Sequence, residues 1–358
     1  MYDIAIIGSG PAGATLARLI GKDFRVLLID RRQLTAPAVD SLVFQKCCGG
    51  LIAPDAQEML ARFGLGIPKQ LLVGEQLFTV RTIDFDNSIE RYYQRHYLNI
   101  NREKFDRWLV SLIPTTVTFR MGCIFKGFQE DEGRIKISFS GKDGRTYSES
   151  AKILVVADGA FSQVRKQLGQ YGINLKLYIA IQEQFESDQI LPYYSAIFDQ
   201  SITDFYAWTI PKDDCLLLGA ALPLYQNPTA RFELLKSKMS NYGYQLRKSL
   251  KKNGAFLLRP QWSNKTDTGL DKVILLGEAA GWISPSSAEG FSYAFKSALA
   301  LAESFKANPD RPMETYTKKL RSLKQNILFK NLKSPFMYNP LLRKLAMLSG
   351  IQSMKIIN

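Results

Sequence analysis

The chain has 358 residues, 46% of them hydrophobic, with a formal net charge of +14 at pH 7, which suits a globular protein of one large or two modest domains. Four cysteines (47, 48, 123 and 215) without metal-type pairing, and a single histidine, His96, argue against a zinc centre and against a small disulfide-framed secreted protein. His96 reads as a surface or strand residue, and no metal is expected.

The first predicted element is the apolar strand of "YDIAIIGSGPAGATLARLI". It leads into Gly8, Gly10 and Gly13 in GxGxxG spacing, then a helix opening at Pro11, where a missing N–H costs little. The next strand, "FRVLLID", ends at Asp30. Glycines there let the backbone approach a pyrophosphate, and the helix N-terminus offers it free N–H groups. Asp30 can accept from adenosine ribose hydroxyls. Arg31 and Arg32 follow it, so charge alone does not separate NAD from FAD. The chain opens directly on a strand and has no apolar run of ~18 residues, so neither a leader nor a membrane span is expected, and the setting is read as cytoplasmic.

"FQKCCGGLIAPDAQ", Phe44 to Gln57, places two thiols side by side before two glycines and a helix start; a metal, a redox couple or neither fits that pattern. "NREKFDRWL" reads as a helix. Ile124 closes a predicted strand and is a candidate for adenine contact. "KILVVADGAFSQVRKQLG" is a strand ending at Ala157-Asp158-Gly159, then a basic helix. The segments 76–95 and 170–253 show strand-like alternation ("YIAIQEQFE", "YYSAIFDQ", "DFYAWTIP", "DCLLLGAALP"), with a helix expected from about Pro228 to Lys251. Tyr193, Tyr194, Phe198, Phe205, Tyr206 and Trp208 suit either a long apolar cavity or the core of a half-buried sheet. "DKVILLGEAAGWISPSSAEGFSYAFKSALALAESF" gives a strand ending at Gly277-Glu278, a loop and a long helix. From Tyr316 to Asn358 there are nine Lys or Arg and no Asp or Glu, interleaved with Leu, Phe, Met and Ile. That segment suits an amphipathic helix on an anionic membrane surface or a solvated basic cap. No nucleic-acid module is present.

Gly8–Gly13, Asp158 and Gly277-Glu278 in this order resemble the FAD signatures of the para-hydroxybenzoate-hydroxylase-like flavoproteins, where the third is usually Gly-Asp. Within that superfamily the chain is similar from end to end to the geranylgeranyl reductases. Lys46-Cys47-Cys48-Gly49-Gly50 stands where they carry KPCGG, so Cys48 matches the family cysteine and Cys47 replaces a proline. Tyr206–Pro211 stands for their YxWxFP box, with Ile210 for Phe. "NREKFDRWL" matches their R..FD..L helix, with Arg102 in the FAD-contacting position. "GEAAGWISPSSAEGFSYA" follows their GDAAGFVSPLTGEGI through Pro285, Glu289 and Gly290. Within the branch, "CCGGLIAPDAQ" and "NYGYQLRKSLKK" look most like bacterial CbrA-type flavoproteins.

The resemblance implies an α/β fold: a glutathione-reductase-type, Rossmann-like FAD domain from 1–75, 96–169 and 254–306, an inserted mixed or antiparallel-sheet substrate domain from 76–95 and 170–253, and a basic helical segment, 307–358. It implies non-covalent FAD held by Gly8, Gly10, Ala12, Gly13, Asp30, Arg31, Cys48, Gly49, Leu51, Arg102, Ile124, Asp158, Glu278, Pro285, Gly290 and Phe291, with Trp282 near the ring. In that family reduced FAD delivers hydride to an isoprenoid C=C bond, and Cys48, Tyr206 and Trp208 become the expected catalytic residues. Cys48 could donate the proton, tune the flavin or merely pack against it, and with Cys47 could form a vicinal disulfide. A flavin monooxygenase or halogenase shares the fold, although "YAWTIP" keeps only the second half of the halogenase WxWxIP; a flavin-based redox sensor is the third class. The expected electron donor is NAD(P)H or a ferredoxin-like protein, since only one nucleotide fingerprint is present. The expected substrate is a long isoprenoid-like lipid, and the basic segment 316–358 carries the expectation of peripheral contact with the inner face of the cell membrane.

Overall fold

A computed structural model describes residues 1–35, 47–169, 175–189, 191–260 and 268–357, and Lys46 of the cysteine stretch lies outside them. The apolar opening becomes β1 (Tyr2–Ile7), buried from Ile4 onward, followed by α1 (Pro11–Ile20) and β2 (Val26–Asp30), which is buried throughout. Continuous apolar strands of this kind belong in a parallel sheet covered on both faces. The chain then forms β3 (Leu51–Ile52), α2 (Pro54–Arg62), β4 (Leu77–Asp84) and β5 (Ile89–Asn99). After α3 (Arg102–Ser111) come β6 (Thr118–Met121), β7 (Ile124–Asp131), β8 (Arg134–Ser140), β9 (Thr146–Val156) and α4 (Gln163–Gln167). Next are β10 (Leu175–Glu186), β11 (Tyr194–Phe198), β12 (Ala207–Pro211), β13 (Cys215–Pro223), α5 (Pro228–Asn241) and β14 (Ser249–Pro260). Last come β15 (Gly269–Leu270), β16 (Val273–Leu275), α6 (Phe291–Ala307), α7 (Pro312–Lys319), α8 (Arg321–Tyr338), α9 (Pro340–Leu348) and β17 (Ser353–Met354).

These elements gather into two compact units. The first comprises Met1–Gln45, Glu103–Lys176 and Leu258–Phe329; the second comprises Lys46–Arg102, Leu177–Leu257 and Lys330–Asn358. The first unit is the expected α/β nucleotide-binding fold. Its sheet runs β15-β16-β9-β1-β2-β6, with β8 added antiparallel on β9 and β7 on β8. The β1–β2, β1–β9, β9–β16 and β2–β6 pairs are all parallel. Helix α1 packs on α6, and Phe24 meets Phe305 with ring centroids 5.8 Å apart.

The second unit is a mixed sheet in the order β14-β10-β13-β12-β11-β4-β5-β17, with β3 on β5. Most pairs are antiparallel, but β4 and β11 run parallel. Helix α5 covers one face, where Phe232, Leu235 and Met239 join Ile181, Leu218 and Leu222 in an apolar core. The helix expected as far as Lys251 ends at Asn241. Gly243 follows with φ +101°, a left-handed value that stops the helix, and Ser249–Pro260 pairs as a strand instead.

Residues 46–75 and 96–102 gather with the second unit, where the sequence had placed them with the nucleotide-binding segments. The cause is local pairing: β3 joins β5 through Leu51 and Asn99, and Val73 N–H donates to the Asn99 carbonyl at 2.9 Å. The basic segment likewise divides within α8.

Candidate functional site

In the first unit, the carboxyl ends of parallel strands bring three distant segments together. Gly8 adopts φ +97°, and a Cβ on it would lie 2.4 Å from the Ala157 carbonyl oxygen at the end of β9. A Cβ on Gly13 would meet the Gly8 carbonyl oxygen at 1.9 Å, and one on Gly277 would meet the Ala12 Cβ at 2.7 Å. Only glycine allows these approaches. Gly10 differs: a Cβ there would meet nothing within 4 Å, and Gly10 caps α1 with backbone alone. The start of α1 thus has no side chain satisfying its N–H groups and open space beside Gly10, which suits an anion at a helix start.

Asp30, at the end of β2, holds the glycine turn. Its Oδ2 accepts from Ser9 N–H and Ser9 Oγ, both at 2.7 Å, and its Oδ1 accepts from Arg32 N–H at 2.7 Å. Arg32 also donates to Asp106 of α3 at 2.6 Å. Burial pushes the Asp30 carboxyl up, but the Arg32 guanidinium and the bonds from Arg32 and Ser9 outweigh it and hold the group below the usual carboxylate range. Arg31, the residue singled out from the sequence, is exposed. Ile124 opens β7 rather than closing a strand and is half exposed; Cys123 beside it donates N–H to the Asp30 carbonyl at 3.0 Å.

Two carboxylates at the same strand ends are incompletely matched. Asp158 Oδ2 accepts from Gln163 N–H at 3.0 Å, whereas Asp158 Oδ1 is buried and has no partner among the described residues. Burial raises this carboxyl to about 6, with bonds from Ser162 and Gln163 only partly compensating. Glu278 Oε1 is buried without a partner in the same sense. A buried acceptor left unmatched costs about 1–3 kcal/mol, so two of them beside open helix N–H groups mark a polar ligand site. Helix α6 adds another N-terminus: Gly290 is its cap, without a side-chain bond, and Phe291 is its first residue. The Phe291 ring packs edge-on against Phe105 at 5.3 Å, so its side chain serves the core and its backbone N–H is what it can offer a ligand. Pro285 is buried, with its carbonyl accepting from Arg259 at 3.1 Å, and Trp282 is fully buried. FAD fits this set: glycines for its pyrophosphate, two helix starts, and two acceptors for its hydroxyl-bearing chains.

In the second unit, the two cysteines separate. Cys47 is buried, and its Sγ lies 3.2 Å from Gln182 Oε1 on β10. Cys48 is partly exposed, and its Sγ accepts from Gly50 N–H at 3.5 Å. Both are thiols, with no bridge between them. Lys212 pins the loop from below: its Nζ donates to Gly49 O at 2.8 Å, Asn99 Oδ1 at 2.5 Å and Ile100 O at 3.3 Å. Asn99 in turn donates to Pro211 O at 2.7 Å. Burial lowers Lys212 to about 8, opposed by the charges of Cys48, Cys215 and Asp213. The ammonium thus sits on the residue next to Cys48 in the chain. Leu51 begins β3 and Arg102 begins α3.

The neighbouring sheet face is built around Trp208. In register across the strands stand Gln182, Gly219, Trp208 and Ala196. The indole lies on Gly219, where a Cβ would be 2.5 Å from the ring, and Trp208 Nε1 is buried without a hydrogen-bond partner among the described residues. Tyr206 sits beside it, with ring centroids 5.4 Å apart, and Ile210 reaches the loop at Gly49. Phe198 and Phe205 belong to the core, whereas Tyr193 joins a separate group with Tyr92 and Arg81.

Residues 1–178 match the model of a family described as "FAD binding domain". Protein CbrA of Escherichia coli O9:H4 (strain HS) is 39% identical over 350 residues, covering 98% of this chain and 94% of that protein. The chain belongs to the CbrA family of FAD-dependent oxidoreductases, and its cofactor is FAD. Among solved structures, a geranylgeranyl bacteriochlorophyll reductase-like protein from Thermoplasma acidophilum is similar with TM-score 0.83 at 18% identity, covering 99% of this chain and 92% of that one. PqsL of Pseudomonas aeruginosa, a probable FAD-dependent monooxygenase, is similar with TM-score 0.70 at 16% identity, covering 97% of this chain and 99% of that one. At those identities the likeness is one of fold.

Within this family member, the residues missed in the sequence are Ser9, Arg32 and Asp106 in the first unit and Asn99, Gln182 and Lys212 in the second. Signals existed for two of them: Asp106 is the acid of "FDRW", and Lys212 directly follows "YAWTIP". Among the described residues no helix is long and apolar enough to cross a membrane.

Proposed function

We propose that the protein saturates C=C bonds of a long isoprenoid lipid. The observation that carries this reading is the setting of Cys48: a partly exposed thiol whose Sγ accepts a backbone N–H and whose neighbour Gly49 is held through its carbonyl by the half-buried Lys212 ammonium at 2.8 Å. Such surroundings stabilise the thiolate left when a thiol gives up its proton. Bound and reduced, FAD supplies the hydride. Cys48 holds the proton at Sγ for the second carbon of the double bond, and solvent restores it afterwards. Lys212 and Asn99 fix the loop that carries Cys48, while Trp208 and Tyr206 present an apolar face to a hydrocarbon chain. Asp158, Glu278 and the starts of α1 and α6 bind the cofactor, with Gly8, Gly10, Ala12, Gly13, Asp30, Gly290 and Phe291 shaping its cradle. The electron donor is NAD(P)H or a ferredoxin-like protein.

The test is anaerobic. Holoprotein reduced with dithionite, freed of excess reductant and given a geranylgeranyl lipid should regain oxidised-flavin absorbance in step with the lipid added. Reoxidation that ignores the lipid would count against the reading. The fold shared with PqsL leaves a monooxygenase as the second reading, for which turnover under labelled oxygen should give a product carrying one labelled oxygen atom.

A further inference from the structure

We propose that the outward face of α8, α9 and the last residues docks on an anionic lipid surface. This segment keeps much of its apolar surface outward. Its buried side is mixed, Leu323, Ile327, Asn331 and Ser334 of α8 with Arg343 and Met347 of α9, while Phe336, Leu341, Leu345, Leu348, Ile351 and Ile357 are exposed. Leu341 is 72% exposed, Ile351 73% and Ile357 95%. A helix that faces only water keeps its outer side polar, so exposed apolar side chains of this size, three of them on α9 alone, mark an interaction surface.

Nor is the segment a loose tail that could turn these residues inward. Arg343 donates to Asp84 from Nε at 2.8 Å and from a terminal nitrogen at 2.9 Å, and to Asp86 at 2.7 Å. Asn87 donates to Pro340 O at 3.0 Å and Arg91 to Met347 O at 3.0 Å, while β17 pairs with β5. While Arg343 stays paired, the rotation of α9 is set, and Leu341, Leu345 and Leu348 stay outward.

Charge names the occupant. Exposed Lys333, Lys344 and Lys355 stand among the apolar side chains, and the stretch from Tyr316 to Asn358 holds nine basic residues and no acidic one. An anionic bilayer accepts both features: the aliphatic side chains enter the boundary of headgroups and acyl chains while the ammonium groups stay with the phosphates. A second copy would set one +14 chain against another.

The experiment is flotation of the holoprotein with vesicles of phosphatidylcholine, alone or mixed with phosphatidylglycerol, at low and high salt. Expected are flotation with the mixed vesicles at low salt, reduced flotation at high salt, and roughly tenfold weaker binding by a Leu341→Ser/Leu345→Ser variant with unchanged flavin content and circular dichroism. Protein that stays at the bottom of the gradient with mixed vesicles at low salt overturns the proposal. So does equal flotation of the variant, or a concentration-dependent dimer, sealed by this face, that vesicles do not dissociate.

Discussion

Asp158 and Glu278 in the first unit each leave a buried carboxylate oxygen unmatched, whereas Lys212 and Arg343 in the second direct their N–H groups onto several acceptors. The first arrangement carries an unmet polar cost that a ligand can relieve. The second is closed on itself: Lys212 fastens the cysteine loop to β5, and Arg343 fastens α9 to β4. At these positions the first unit leaves acceptors for a cofactor to match, while the second holds a thiol and an apolar face still, although Trp208 Nε1 there is unmatched too among the described residues. Breaking residues on either side should have different signatures, loss of flavin in the first and loss of turnover or stability in the second.

The largest effect should come from Gly8→Val. A side chain there strikes the Ala157 carbonyl at a backbone angle that valine resists, so purified protein should carry essentially no FAD; a yellow variant would show that the glycine turn does not set the cradle. Next, Cys48→Ser should keep FAD and lower single-turnover lipid reduction by about 10²–10⁴, the span of general acid–base catalysis, while Cys47→Ser, whose thiol faces β10, should lower it little. Equal loss in the two variants would erase the distinction drawn between them. Arg343→Leu strips Asp84 of its buried partner and should cost about 3–5 kcal/mol, read as a lower midpoint in urea with FAD still bound before the transition.

These contrasts also explain what the sequence could disclose. The glycine turn and the placement of Asp30, Asp158 and Glu278 at strand ends were readable because each is dictated by backbone geometry within a few residues of a strand. The choice between Arg31 and Arg32 was not, since charge is identical and only the packing of α3, with Asp106, turns Arg32 inward. Lys212 and Asn99 stand 113 residues apart and meet through sheet pairing that no local pattern announces. The outward apolar face of α9 was visible as composition, but its fixed rotation depends on Arg343 finding Asp84, 259 residues away. The overlong α5 came from reading a basic, alternating stretch as helix past Gly243.

The smallest effects concern the first unit's unmatched oxygens. Glu278→Ala should weaken FAD retention roughly tenfold in dialysis, the value of one hydrogen bond to a charged acceptor; full retention would remove Glu278 from the site. In the apoprotein, the Asp158 carboxyl, raised to about 6, keeps a proton that the unfolded chain has released. Its contribution to stability should therefore fall as pH rises from about 4 to 6 and level off above, and Asp158→Asn should flatten that slope. A slope unchanged in the variant would assign it to other groups.

The most direct measurement is mass spectrometry of the lipid after one anaerobic turnover of reduced holoprotein, run beside Cys48→Ser. The account predicts a product heavier by two hydrogens for each bond reduced, formed by the wild type and nearly absent with the variant. A lipid recovered unchanged while the flavin stays reduced, or product formed equally well without the Cys48 thiol, would contradict it.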